Sequence, residues 1–308
     1  ALMGTATEIS MPLLLALAAL PFIPSGSTWV TLTIAGLAMG MMIFVMASGL
    51  TLIFGVMRII NIAQGAFLIL VATVTWWLWR ETGIDPIIAS VITTPMMFAF
   101  GWVLYRTVVS RIRGQSASMS VLLTFGIALV IEGILNVASG NKFRSATPSY
   151  FEQSFTVGSI HLPKPQVYGF LAAVVVLAGL YLVLTRTWTG RAIRAVSQNP
   201  SAAALVGVSA TGTAALAFAL GTASAGVGGS ILSVLYPFFP ASHYDWISRL
   251  LGIVVLGGMG SLPGALIGAG VRGLAETLTA TYGSLRWSTL VCYVVIVAVL
   301  LLRPHGLL

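Results

Sequence analysis

Apolar residues fill this chain in runs long enough to cross a bilayer, and polar residues gather in the short intervals between them. A span needs about 20 apolar residues for roughly 30 Å of hydrocarbon. Runs bounded by charges, Pro and Gly fall at 9–25, 29–53, 63–80, 86–105, 118–138, 166–185, 211–236, 248–261, 264–281 and 286–302. They predict an all-α polytopic membrane protein with about eight to ten transmembrane helices. The whole of 1–308 reads as a single transmembrane domain with no sizeable water-soluble part. The first run is short, ends at Pro21 and Pro24, and lacks the positive start of a secretory signal. It is expected to be a retained, marginal span, with a cleaved leader as the alternative.

Two interruptions stand out. Asn61-Ile62-Ala63-Gln64-Gly65-Ala66-Phe67 places two amides between apolar runs, with Arg58 one turn earlier and Gly55 and Gly65 bracketing the cluster. Amides at bilayer depth are costly unless partnered, so Asn61 and Gln64 should face protein or a cavity. Two readings stand: hydrogen bonds that hold a broken helix in place, worth about 1 kcal/mol per contact, or a lining of the transport path. The second interruption lies in Leu251–Gly268, where Gly257, Gly258, Gly260, Gly264 and Gly268 surround Pro263. Proline removes an amide donor and the glycines permit close approach, predicting a broken or re-entrant helix in the interior. Gly55-Val56-Met57 and Gln64-Gly65-Ala66-Phe67 are faintly echoed by Gly258-Met259 and Pro263-Gly264-Ala265-Leu266. Both breaks are expected toward the cytoplasmic ends of corresponding runs, and paired breaks point to a transport pathway.

Composition fits this picture: 58% of the 308 residues are hydrophobic and 7% charged, with mean hydropathy +1.01. The net charge of +8 is spread between apolar runs rather than packed into one patch, which argues against nucleic acid. Arg58, Arg106, Arg111, Arg113, Arg186, Arg191, Arg194 and Arg303 fall on one side, cytoplasmic by the positive-inside rule. Glu81, Asp85 and the loops 139–166 and 236–247 fall on the other.

Within the cytoplasmic stretch 186–209, Asn199 suits a helix cap, Pro200 its first position, Ala203 and its neighbouring alanines its body, and Gly207 its end. A short helix of low profile follows, with Arg191 and Arg194 before it as charge anchors. Such a helix fits a partner's cleft; a merely topological basic loop is the other reading.

These residues resemble a family. Gly49–Ala66, Gly190–Val208, Leu256–Glu276 and the ending Arg303–Leu308, in this order and separation, resemble permeases of the branched-chain amino acid, Liv-type, ABC importers over roughly residues 30–308. Where the family usually has His, this chain has Gln64. The resemblance implies a permease subunit in a bacterial or archaeal plasma membrane, the inner membrane if Gram-negative. It also implies a second, related or identical Liv-type permease, two cytoplasmic ATPase subunits that hold ATP and Mg, and an external solute-binding protein. The solute it implies is a small amino acid or related amide, carboxylate or urea-like compound. The stretch Asn199–Gly207, with Leu205 inside it, would couple to the ATPase.

The remaining chemistry is sparse. The two lysines, Lys142 and Lys164, lie outside any phosphate-loop context, so ATP hydrolysis is expected in partner subunits and no bound cofactor in this chain. His161, His243 and His305 are scattered and Cys292 is alone, so no metal site is expected. Glu132 and Glu276 are the carboxylates placed within spans. Proton relays use such groups, which keeps a proton-coupled secondary transporter as the alternative. Glu276 is also placed to pair with Arg272, four residues earlier on one helical face.

Overall fold

The computed structural model describes residues 26–112, 116–157, 160–282, 285–303 and 306–307. The first apolar run, 9–25, lies outside them. Eleven α-helices are described: α1 (Gly26–Met57), α2 (Ala63–Thr82), α3 (Pro86–Thr107), α4 (Ala117–Ser139), α5 (Lys164–Arg186), α6 (Trp188–Gln198), α7 (Pro200–Leu205), α8 (Ala210–Leu235), α9 (His243–Gly257), α10 (Leu262–Tyr282) and α11 (Leu285–Leu302).

Among the described residues, five helices (α1, α3, α4, α5 and α8) are long and apolar enough to cross a membrane. A sixth span appears if α9 and α10, bent by 118°, are taken together. The larger number expected from the apolar runs counts α2, α9, α10 and α11 separately and adds the run at 9–25. The protein is an all-α polytopic membrane protein.

Burial separates centre from rim. In α8, 89% of the most apolar window is buried and in α1 72%, against 11% in α5 and 22% in α3 and α4. The sequence of α8 explains its place: its Ala, Gly, Ser and Thr residues let neighbouring backbones close in where lipid offers no hydrophobic drive. Thr93 donates to the Gly226 carbonyl at 3.0 Å, and the Thr75 and Ser230 hydroxyls pair at 2.9 Å. Thr222 donates to the Met97 carbonyl at 3.1 Å. Leu, Val and Ile dominate the exposed faces of α3, α4 and α5.

The loop 139–166 carries one element that the apolar pattern does not predict. Strands β1 (Ser154–Val157) and β2 (Ile160–Pro163) form an antiparallel hairpin, Ser154 opposite Pro163 and Val157 opposite Ile160. The loop is tied down by reciprocal backbone bonds of 2.8 Å between Arg144 and Phe238, and the Arg144 guanidinium lies 4.3 Å above the Trp76 ring.

Candidate functional site

The first break opens where α1 ends. The Arg58 amide donates to the Phe54 carbonyl at 2.8 Å, and Arg58 adopts φ 52°, the left-handed conformation that closes a helix. Its side chain is exposed, as an anchor at the span's end requires. Thr124 of α4 then supports the bare backbone: its hydroxyl accepts from the Ile62 amide at 3.2 Å and lies 3.2 Å from the Ile60 carbonyl.

Asn61 and Gln64 are both fully buried. Asn61 Nδ2 donates to Gln64 Oε1 at 3.4 Å, and Gln64 Nε2 donates to the Gly221 carbonyl of α8 at 3.2 Å. Gly221 is near the midpoint of α8, and Gly49 of α1 packs at the same level. The amides therefore sit at the level of the middle of α8. The physical reason is that α2 restarts inside the helix packing, where its amides find backbone partners. Asn61 Oδ1 remains buried without a hydrogen-bond partner among the described residues. Gly65 faces α9, where a Cβ would lie 2.5 Å from the His243 carbonyl oxygen and 3.0 Å from Ile247 Cβ.

The second break joins α9 to α10 through 258–261. Gly258 (φ 97°) and Gly260 (φ 93°) adopt backbone conformations that L side chains rarely enter, which turns the chain back. Gly257 and Gly264 touch backbone to backbone, so a Cβ on Gly264 would overlap the Gly257 carbonyl oxygen. Gly260 is not part of a helical glycine face, as its four-residue spacing from Gly264 and Gly268 suggests, because it lies in the turn itself. The two breaks meet: a Cβ on Gly55 would lie 3.2 Å from the Gly260 carbonyl. Helix α10 packs closely along α1, with Gly40 against Ala269 and Gly36 against Leu274.

The chain's end covers the second break. Leu307 donates its amide to the Leu256 carbonyl at 2.9 Å, and a Cβ on Gly306 would lie 2.6 Å from Gly258 Cα. Neither this contact nor Thr124 is announced by a local pattern.

Helix α9 begins at His243, earlier than the apolar run at 248, because a 3-10 turn (Pro240–Ser242) leads into it. The Ser242 hydroxyl accepts from the Phe239 amide at 3.1 Å. Asp245 thus belongs to a helix rather than to the outer loop. His243 Nε2 lies 3.0 Å from Glu132 Oε2, and the Tyr244 hydroxyl donates to the same oxygen at 3.3 Å. Glu276 pairs with Arg272 at 3.6 Å, as its spacing predicts, and also with Arg249 at 3.4 Å. The arginine within the run at 248–261 was the signal for this second partner.

In the stretch 186–209, Asn199 caps α7, its side chain accepting from the Ala202 amide at 3.0 Å. Gly207, at φ 81°, ends the turn. Pro200, Ser201, Ala204 and Leu205 are exposed, with Leu205 at 89%. Ala203 is the exception to a uniformly outward helix: it is 3% exposed and seats α7 in a cluster with Leu52, Val56, Leu184, Ile193, Val196 and Ala217. Arg191 lies 5.4 Å from the Trp188 ring, and Arg194 reaches the Thr185 carbonyl at 3.5 Å.

The family described as "branched-chain amino acid transport system / permease component" matches residues 32–300. The chain belongs to this family. The high-affinity branched-chain amino acid transport system permease protein LivH of Escherichia coli K12 is 27% identical over 89% of this chain and 93% of its own length. The corresponding permease BraD of Pseudomonas aeruginosa is 27% identical over the same shares. The probable LivH permease of Methanocaldococcus jannaschii is 27% identical over 86% of this chain and 88% of its own length. No solved structure matches the chain. Membership makes the chain a multi-pass membrane component of a transport system and a permease, a non-catalytic role.

Proposed function

We propose that this chain is one permease subunit of an ATP-driven importer for a small amino acid or a related amide, carboxylate or urea-like solute. It works with a second Liv-type permease, two cytoplasmic ATPase subunits that hold ATP and Mg, and an external solute-binding protein. Its place is the plasma membrane of a bacterium or archaeon, the inner membrane if Gram-negative.

The observation that carries the reading is the seat of α7. Its outward side presents Pro200, Ala204 and Leu205, while Ala203 is buried in the apolar cluster that also holds Leu52 and Val56 at the end of α1, just before the first break. A push on α7 from an ATPase therefore reaches the junction of Gly55 with Gly260 through packed side chains, which transmit displacement because they leave little free space. Closure of the ATPases would move this junction and switch access past Asn61, Gln64, Gly65, Gly257, Gly258, Gly260 and Gly264 between the two sides. Arg191 and Arg194 flank the docking helix as charge anchors.

Glu132 against His243 supports a second reading, a proton-coupled transporter acting alone. One experiment separates them: reconstitute the chain with its candidate partners and measure solute uptake with ATP, then with a proton gradient instead. The proposal expects uptake only with ATP and partners. A proton gradient driving uptake through this chain alone would sink it. Within the importer, Leu205→Arg should abolish co-purification with the ATPases while the permease keeps its melting temperature. Ala203→Arg is expected to unseat α7 and destabilise the permease, since it forces a charge into a packed apolar cluster.

A further inference from the structure

The first turns of α3 and α5 lie at one end of the bundle and leave between them a groove of about 520 Å³, within the size range of small-molecule sites. Its long wall is apolar and open, with Ile88 63% exposed, Leu171 53% and Val175 70%. From Lys164 to Val175, helix α5 descends about 16 Å at 1.5 Å per residue, well into the hydrocarbon of a bilayer. An acyl chain fits such a wall. The mouth of the groove is different: it is lined by the half-buried Asp85 and by the rings of Tyr150 and Tyr168. The two ring centroids are 5.1 Å apart and the rings stand at 88°, forming a corner. Phe155 of β1 supports Tyr168 at 6.0 Å.

Asp85 has more acceptor capacity than its local role uses. Its Oδ1 accepts from the Ile87 amide at 2.8 Å and from the Ile88 amide at 3.4 Å, which caps α3, and Oδ2 takes no part in the cap. Among the described residues no cation pairs with Asp85. Lys164, one turn before Tyr168 on α5, is turned elsewhere: it donates to Gln153 Oε1 at 2.6 Å and rests 5.3 Å above the Phe155 ring. Burial first, and then the neighbouring Asp85 carboxylate, hold the Tyr150 hydroxyl above the ordinary tyrosine range, so it stays neutral and leaves the negative charge on Asp85. A half-buried carboxylate and two electron-rich rings at the head of an apolar wall are costly without a positive group. They are complementary to an amphiphile whose polar end is a cation.

We propose that this groove holds one phospholipid with a primary ammonium in its headgroup, of the ethanolamine type. Asp85 accepts from the ammonium, the Tyr150 and Tyr168 rings face the cation, and an acyl chain lies along Ile88, Leu171 and Val175. A glycerol headgroup brings no cation to this corner, and a choline headgroup brings a cation with no N–H to donate. The bound lipid would join the start of α3, the loop 139–166 and α5 at the rim of the bundle. The site shares no residue with either helix break or with α7, and the inference does not depend on the importer reading.

The test titrates the full chain, delipidated in detergent, with dioleoyl phosphatidylethanolamine, phosphatidylcholine and phosphatidylglycerol, and reads the bound lipids by native mass spectrometry. One phosphatidylethanolamine should bind about 10-fold or more tightly than either of the others, the scale of one charge-assisted contact. Asn caps a helix as well as Asp does, so Asp85→Asn should keep the melting temperature of the lipid-free chain and its affinity for phosphatidylglycerol while losing the preference for phosphatidylethanolamine. Glycerophosphoethanolamine, which has the headgroup and no acyl chains, should fail to displace the bound lipid at equal concentration. The proposal is overturned if the wild-type chain retains no phosphatidylethanolamine, if the three lipids bind equally, or if Asp85→Asn keeps the preference. Displacement by glycerophosphoethanolamine would also overturn it, by assigning the groove to a soluble amine.

Discussion

The closest helix contacts make the sharpest demand on single atoms, and Gly49→Ala tests them. A methyl group there would overlap the Gly221 carbonyl oxygen and the Ser224 hydroxyl and lie 2.7 Å from Gln64 Nε2. Helices α1 and α8 must then separate. Overpacking of this sort costs about 1–3 kcal/mol, and pulling Gln64 from the Gly221 carbonyl removes roughly 1 kcal/mol more. Replacing a helical glycine by alanine returns up to about 1 kcal/mol, leaving a net loss of about 1–3 kcal/mol. On the entropy scaling for chains of this size, that is a fall of roughly 2–5 °C in melting temperature. Fluorescence-detected gel filtration after heating measures it in detergent. Gly126→Ala is the internal control, because a Cβ at Gly126 meets nothing within 4 Å; it should melt with the wild type or slightly above. The double variant Gly49→Ala, Gln64→Ala should lose less than the sum of its parts, since both act on one contact. If Gly49→Ala melts together with Gly126→Ala, the three-helix junction at Gly49, Gln64 and Gly221 is not close-packed and the reasoning fails.

Two further outcomes follow from the same geometry. Thr124→Val keeps the shape of the side chain but strands the Ile62 amide at the first break, so it should cost about 1–3 kcal/mol, whereas Thr124→Ser should cost much less; equal melting of the two would show that Thr124 does not hold the break. Glu276→Gln removes the counter-charge of both Arg249 and Arg272 and should destabilise by about 3–5 kcal/mol, while Arg249→Gln leaves Arg272 paired and should be milder, an order that thermal melts of both variants will check.

The amino-acid order by itself determined that this chain lives in a membrane as helices, because apolar run length against bilayer thickness leaves little else. It also determined where the helices break, since Pro263 lacks a donor and the Asn61–Gly65 cluster places amides and a glycine between apolar runs. Asn199, Pro200 and Gly207 spelled out α7 through capping chemistry that is local to the chain. The pairing of Arg272 with Glu276 was legible for the same reason, as a spacing within one helix.

The tertiary structure decided what depends on partners distant in the chain. Only the packing of α8 against α1 and α2 places Gly221 under Gln64, and with it the depth of the amide cluster. Only the burial of Ala203 in the cluster that holds Leu184, Ile193 and Ala217 shows which side of α7 is free. The 3-10 turn before α9 moves Asp245 from an outer loop onto the face of Arg249, and the bend of α9 against α10 brings Arg249 to Glu276. Helix periodicity fixes contacts three and four residues apart, but in lipid, where every face of a span is apolar, it does not say which faces meet. Close approach of small residues and the demand of buried polar groups for partners make that choice, and both are properties of the assembled helices.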